Sequence, residues 1–212
     1  SLDAGVKIFG GWSRSNAQRS LSIFARSRYG QNRIEYPLFQ NVPYDEFKSL
    51  VLRNSGNDWL HTMFRDAALT SLMDDTDMEY TAYRPVAVYL NGEYWGLYNM
   101  REKVNEDFLA SRHDVDADDV DMLEGNADIV EGTNEEYLAL LDYMKQGSLA
   151  DAERYAYVSE QVDIQNFIDY QVAEIYFNNL DWPGNNIKYW KSPTTRWRWI
   201  LYDTDFSFGL YG

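Results

Sequence analysis

The stretch that most constrains this chain is Asp181-Trp-Pro-Gly-Asn-Asn186, read with the segment that follows it. A helical pattern runs into it. Asp163 is placed to N-cap that helix, and Ile164, Phe167, Ile168, Val172, Ile175 and Tyr176 recur at the spacing of one apolar face. Pro183 and Gly184 then stop the helix and force a loop. Ile187 to Lys191 reads as one strand and Trp197 to Tyr202 as the next, with Ser192-Pro-Thr-Thr195 as the turn. The second strand delivers Asp203 at its end. Asp181, Asn186 and Asp203 are therefore expected together at the open end of a short hairpin.

Hard oxygen ligands next to an acceptor carboxylate suit a metal–phosphate site. Protein kinases place a catalytic Asp, four intervening residues and an Asn on one loop, then a two-stranded ribbon, then a metal-binding Asp. Asp181, Asn186 and Asp203 repeat that order and gap. Turn chemistry offers an ordinary alternative, because Asp, Pro, Gly and Asn are common turn formers and Asp203 simply follows a strand.

Other stretches carry a family resemblance. They are Val6-Lys-Ile-Phe-Gly-Gly-Trp-Ser13, Gln18-Arg-Ser-Leu21, Val51-Leu-Arg-Asn-Ser-Gly-Asn-Asp58, Phe64-Arg-Asp66, Tyr89-Leu-Asn-Gly-Glu-Tyr-Trp-Gly-Leu-Tyr98 and Arg101-Glu102. With Asp181 to Asn186 and Tyr202 to Gly209, they resemble the CotH kinase family of spore-coat and surface proteins, in the family's order and over nearly the whole chain. The resemblance implies an atypical protein-kinase fold, bound ATP and magnesium, and transfer to a Ser or Thr hydroxyl of a protein. It also implies an extracytoplasmic setting, at the cell surface or in a spore coat. One departure stands out: the family usually has Lys where this chain has Arg19, which keeps the charge but differs in reach and geometry.

Charge and composition limit the alternatives. The net charge of −15 argues against nucleic acid as a partner. The charge is uneven, however. Residues 1–33 carry Lys7, Arg14, Arg19, Arg26, Arg28 and Arg33 against Asp3, which gives an anionic nucleotide local positive charge. There is no run of about 18 apolar residues, so no membrane span is expected. The chain opens at Ser1 without an initiator Met and is expected to start inside a longer precursor. It has no cysteine, and His61 and His113 are its only histidines. Thiolate metal sites are excluded, and a zinc site or a Ser-His-Asp triad is a poor fit.

Taken in order, Val6 to Phe9 alternates like a strand, with Ser20 to Ala25 as its partner. Between them Gly10, Gly11, Ser13 and Ser15 form a small-residue loop able to wrap phosphates through its N–H and hydroxyl groups, or equally a plain hairpin turn. Phe47 to Arg53 reads as a strand, and Asp58 as the cap of a helix from Trp59 to Met73. Arg65 and Asp66 on that helix read as a surface charge pair. Val86 to Leu90 and Glu93 to Met100 flank Asn91-Gly92, a strong hairpin signal, with Tyr89, Tyr94, Trp95 and Tyr98 assigned mostly to sheet and core. The crossing from strand to helix is expected at Asn99 to Glu102. Asp114 to Glu136 reads as a solvated acidic insertion, followed by helices at Glu135 to Met144 and Ala150 to Val158.

The expected fold is α+β: a mainly antiparallel lobe over 1–100, a mainly helical lobe over 101–212, and one cleft between them. In the expected chemistry Asp181 orients or deprotonates the attacking hydroxyl, while Asn186 and Asp203 hold magnesium on the ATP phosphates. Asp205 is a second metal ligand or fixes the loop carrying Asp203. Gly10, Gly11, Ser13, Ser15 and Arg19 restrain phosphate. The resemblance adds Glu102, as an orienter of cofactor or of a phosphate-binding base. Two other classes remain open: a non-catalytic surface adhesin or coat module, and an Asp-x-Asp phosphatase with Asp203 as nucleophile. The phosphatase expects its motif early, ahead of a parallel sheet.

Overall fold

The computed structural model describes residues 1–210; Tyr211 and Gly212, which the expected second lobe included, lie outside the described residues. β1 (Gly5–Ile8) and β2 (Leu21–Phe24) pair antiparallel where the alternating pattern put them. The expected strand over 47–53 is broken at Lys48. β3 (Ile34–Glu35) pairs with β4 (Glu46–Phe47) as a separate ribbon, and β5 (Ser49–Arg53) joins the main sheet. The helix expected from Trp59 shrinks to α1 (Arg65–Ser71). Leu60 and Met63 sit in the left-handed region, at φ 68° and 62°, which no helix passes through. Asp58 instead closes the loop: its buried carboxylate accepts from the Thr62 and Arg65 N–H groups, at 3.1 and 3.0 Å.

The Asn91-Gly92 hairpin forms as expected between β6 (Tyr83–Leu90) and β7 (Glu93–Glu102), with both turn residues at positive φ as a type I′ turn requires. β7 runs to Glu102, so the crossing to α2 (Glu106–His113) comes at Lys103–Asn105. The five strands order β1-β2-β5-β7-β6, all antiparallel. Leu50, Leu52, Tyr98 and Met100 pack with Phe39 and Phe47 on one face. Of the four hairpin aromatics only Tyr98 is buried; Tyr89, Tyr94 and Trp95 are exposed, because the hairpin tip extends past that core.

The acidic segment is not a solvated insertion. It holds β8 (Asp121–Glu124) and β9 (Asp128–Glu131). Met122 and Leu123 are fully buried, while the acids occupy the strand ends and the exposed β9. Two core residues between acids are too short a signal for periodicity to pick out. Next come α3 (Glu135–Lys145), α4 (Ala152–Gln161) and α5 (Ile164–Phe177), then β10 (Lys188–Lys191) and β11 (Arg198–Ile200). A second antiparallel sheet orders β11-β10-β8-β9, its core built from Leu123, Tyr170, Phe177, Tyr189, Trp197 and Trp199. The described residues thus form an α+β fold with antiparallel sheets and five α-helices.

α5 departs most from its pattern. Asp163 caps it, accepting from Asn166 N–H at 3.2 Å. Ile164 and Phe167 pack against the core, but Ile168, Val172, Ile175 and Tyr176 are exposed. The buried face carries Asn166, Tyr170, Ala173, Glu174 and Phe177. Asn166 decides the rotation. Its side chain accepts from Trp199 N–H at 2.6 Å and donates to Glu79 at 2.8 Å, bonds that hold this polar face inward.

Candidate functional site

A cleft of about 730 Å³ lies between the two sheets. Its walls come from the loop after β1, from β5 and the end of β7, from the 103–106 crossing, and from the loops flanking the β10–β11 hairpin. Cross-strand register explains what β5 and β7 contribute. Leu50 and Leu52 pair with Glu102 and Met100, and Leu50, Leu52 and Met100 turn to the core; Val51 and Arg53 pair with Arg101 and Asn99, and Val51, Arg53 and Arg101 line the cleft.

Three of the expected residues converge. Asn186, at φ 57°, donates its side-chain N–H to Asp181 Oδ2 at 3.2 Å and to the Asp203 carbonyl at 3.4 Å. That bonding leaves the amide oxygen for a cation. Asp181 is half-buried, and its carbonyl accepts from Asn185 N–H at 2.9 Å to close the turn. Asp203, at φ 58° and with a side chain 35% exposed, lines the cleft.

Asp205 is different. Its carboxylate is 1% exposed, accepts from Asn57 N–H and Nδ2 at 3.1 Å each, and takes Arg53 at 2.6 Å. It ties the Asp203 loop to the 54–57 turn and is not among the residues lining the cleft. Gly56 in that turn is required, since a Cβ there would meet Asp205 Oδ2 at 2.2 Å.

The expected phosphate-binding residues divide. Gly10, Gly11 and Ser13 line the cleft, and Gly10, at φ 100°, has Ser13 Oγ where a Cβ would fall. Ser15 Oγ donates to the Trp12 carbonyl at 2.9 Å, outside the lining. Arg19 is exposed and does not line the cleft; its carbonyl accepts from the Tyr98 hydroxyl at 2.9 Å. Glu102 reaches the cleft wall, but its carboxylate is saturated within the fold. It accepts from Tyr44, from Ala82 N–H at 2.8 Å and from Arg112 at 3.0 Å.

The charge at the floor comes from residues given no site role in the sequence reading. Arg53 bonds Asp203 and Asp205 and stands 3.6 Å from Asp66; Arg101 lies 3.1 Å from Asp66. Asp66 also accepts from Thr204 N–H at 2.9 Å. Arg65 and Asp66 are therefore not a surface pair: Asp66 is 6% exposed, and Arg65 donates to the Ser207 carbonyl at 2.8 Å. Burial pushes the Asp66 carboxyl up, but Arg101 and Arg53 more than offset it and hold it below the usual carboxylate range. Burial favours the neutral form of Arg53, yet Asp203, Asp205 and Asp66 keep it firmly charged. The sequence signal was the period of β5, which sets Arg53 opposite the core residues; its partners lie 150 and 152 positions away.

Residues 6–212 match the family model described as CotH kinase protein. The chain belongs to the CotH kinase family. Nothing among curated proteins matches it. In this CotH-family chain no helix among the described residues is long and apolar enough to cross a membrane. Nor do the described residues hold a group of three or more His, Cys, Asp or Glu side chains placed to bind a metal ion. Magnesium needs no such cage, because one or two protein oxygens suffice when phosphates and water supply the rest. The Asn186 amide oxygen and the Asp203 carboxylate fit that mode.

Proposed function

We propose that this CotH-family chain transfers a phosphoryl group from ATP, with magnesium, onto a Ser or Thr hydroxyl of a protein. The observation that carries the reading is the convergence of Asp181, Asn186 and Asp203 in one cleft of nucleotide size. Asn186 and Asp203 hold the magnesium, which neutralises charge on the phosphates. Asp181 accepts the hydroxyl proton or orients the hydroxyl. The Gly10–Ser13 loop supplies backbone freedom for phosphate contact, and Arg53, charged and lining the cleft, takes the phosphate-restraining role expected of Arg19. The family resemblance favours a substrate at a cell surface or in a spore coat.

A second reading rests on Arg53. Its ion pair already engages Asp203, as it would in a surface adhesin or coat-assembly module that keeps the fold and binds no nucleotide. The two separate in one experiment, incubation with magnesium and labelled ATP. Label transfer that falls by about 10²–10⁴-fold in Asp181→Asn with ATP binding kept supports the kinase. A parent that binds no ATP at millimolar concentration supports the module.

A further inference from the structure

α5 ends beneath the loop that carries Asp181, and the contact between them is polar and buried. Glu174, in the last turn of α5, is 1% exposed. Its Oε2 accepts from Asn179 Nδ2 at 2.8 Å. The same Asn179 side chain turns its Oδ1 to the Asp181 N–H, at 3.2 Å. Asn179 N–H in turn donates to the Glu174 carbonyl at 3.2 Å, so both ends of this residue are tied to one helical position. Asn178, left-handed at φ 52°, makes the reversal that brings Asn179 back over the helix.

An amide has one acceptor side and one donor side. Asn179 presents oxygen to Asp181 only while its nitrogen has an acceptor of its own, and Glu174 is that acceptor. The chain of contacts continues outward, since Asp181 Oδ2 receives the Asn186 amide at 3.2 Å. Tyr170, one turn earlier on the buried face, reaches the Asn186 carbonyl at 3.5 Å. The other carboxylate oxygen, Glu174 Oε1, has no hydrogen-bond partner among the described residues. A buried carboxyl left half-satisfied is costly to the fold, and its placement here supports the loop above it.

We propose that Glu174 is a positioning residue for Asp181, acting through Asn179 to set the backbone of the catalytic loop and hence the direction of the Asp181 carboxylate. The inference rests on the phosphoryl-transfer reading for its effect on rate, but not for its effect on the loop. Glu174→Met removes the acceptor at similar length; Glu174→Gln keeps an oxygen for Asn179. With magnesium and labelled ATP, Glu174→Met is expected to lose about 10- to 100-fold in kcat, at unchanged KM for ATP, and Glu174→Gln to restore it. Hydrogen exchange supplies a readout independent of activity. The Asp181 amide should exchange faster in Glu174→Met and at the parental rate in Glu174→Gln, with the α5 amides protected in all three. If Glu174→Met does not fold, Asn179→Ala cuts the same link from the loop side and carries the same expectations. Unchanged Asp181 exchange in a folded Glu174→Met or Asn179→Ala overturns the proposal. A parent without label transfer whose Asp181 exchange still follows Glu174 refutes the kinase reading and leaves the positioning role standing.

Discussion

At the residue scale, three acids balance two arginines at and beneath the floor of the cleft, and removing one member leaves the others short of a partner. Arg53→Ala leaves Asp203, Asp205 and Asp66 short of a cation in a mostly buried site. Breaking such a pair from one side typically costs about 3–5 kcal/mol; urea midpoints should show a loss of that size. Arg19→Ala is expected to change neither stability nor Mg-ATP affinity, because Arg19 is exposed and outside the cleft lining. Isothermal titration with Mg-ATP checks it, and weakened binding would return Arg19 to the site. Glu174 gives a pH test. Burial lifts its carboxyl to about 7, with Asp203 and Asp66 adding to the lift while the hydrogen bond from Asn179 pulls against it. Below pH ~4.5 the group is neutral folded and unfolded, and contributes nothing. From there to about pH 7 the folded state holds a proton the unfolded state has lost, so stability falls as pH rises, by about 3 kcal/mol at most. Glu174→Gln should therefore match the parent near pH 4 and exceed it near pH 8. A stability gap that does not widen with pH would place the titration elsewhere.

At the element scale, α5 shows how far a face can be misread. Ile168, Val172, Ile175 and Tyr176 satisfy the helical period, yet all four are exposed, and the buried stripe includes Asn166 and Glu174. Val172→Lys should shift stability by no more than about 0.5 kcal/mol, whereas Phe177→Ala, from a residue 1% exposed, should cost about 3–5 kcal/mol. Thermal melts of both variants check the orientation; equal losses would mean that the outer face is covered. Other elements were legible for local reasons. The Asn91-Gly92 turn, the Asp163 cap and the order of α3, α4 and α5 follow from backbone preferences a few residues wide. α1 was not, because the apolar residues Leu60 and Met63 belong to a left-handed loop, held by the buried Asp58 carboxylate and by bonds from the Ser55 and Asn99 side chains to the Met63 carbonyl.

At the scale of the molecule, ligand linkage tests the cleft as one unit. If Asn186 and Asp203 hold magnesium on ATP, the two ligands together should raise the melting temperature more than either alone. Mg-ATP at about 100 times its dissociation constant adds about 2.7 kcal/mol. Asp203→Ala should remove that synergy and leave a folded protein; persistence of the synergy in that variant would take Asp203 out of the site.

What the sequence determined by itself was the α+β class, the hairpins, and the loop on which Asp181 and Asn186 share one turn ahead of Asp203. Each of those is written in contiguous residues, where turn chemistry and short-range spacing act directly. The tertiary structure alone decided which charges meet. Arg53 finds Asp203 and Asp205, Asp66 finds Arg101 and Thr204, and Glu102 turns to Tyr44 and Arg112. Coulomb attraction between buried groups depends on distance in space and on the loss of water around them. Neither is encoded in the spacing of residues along the chain.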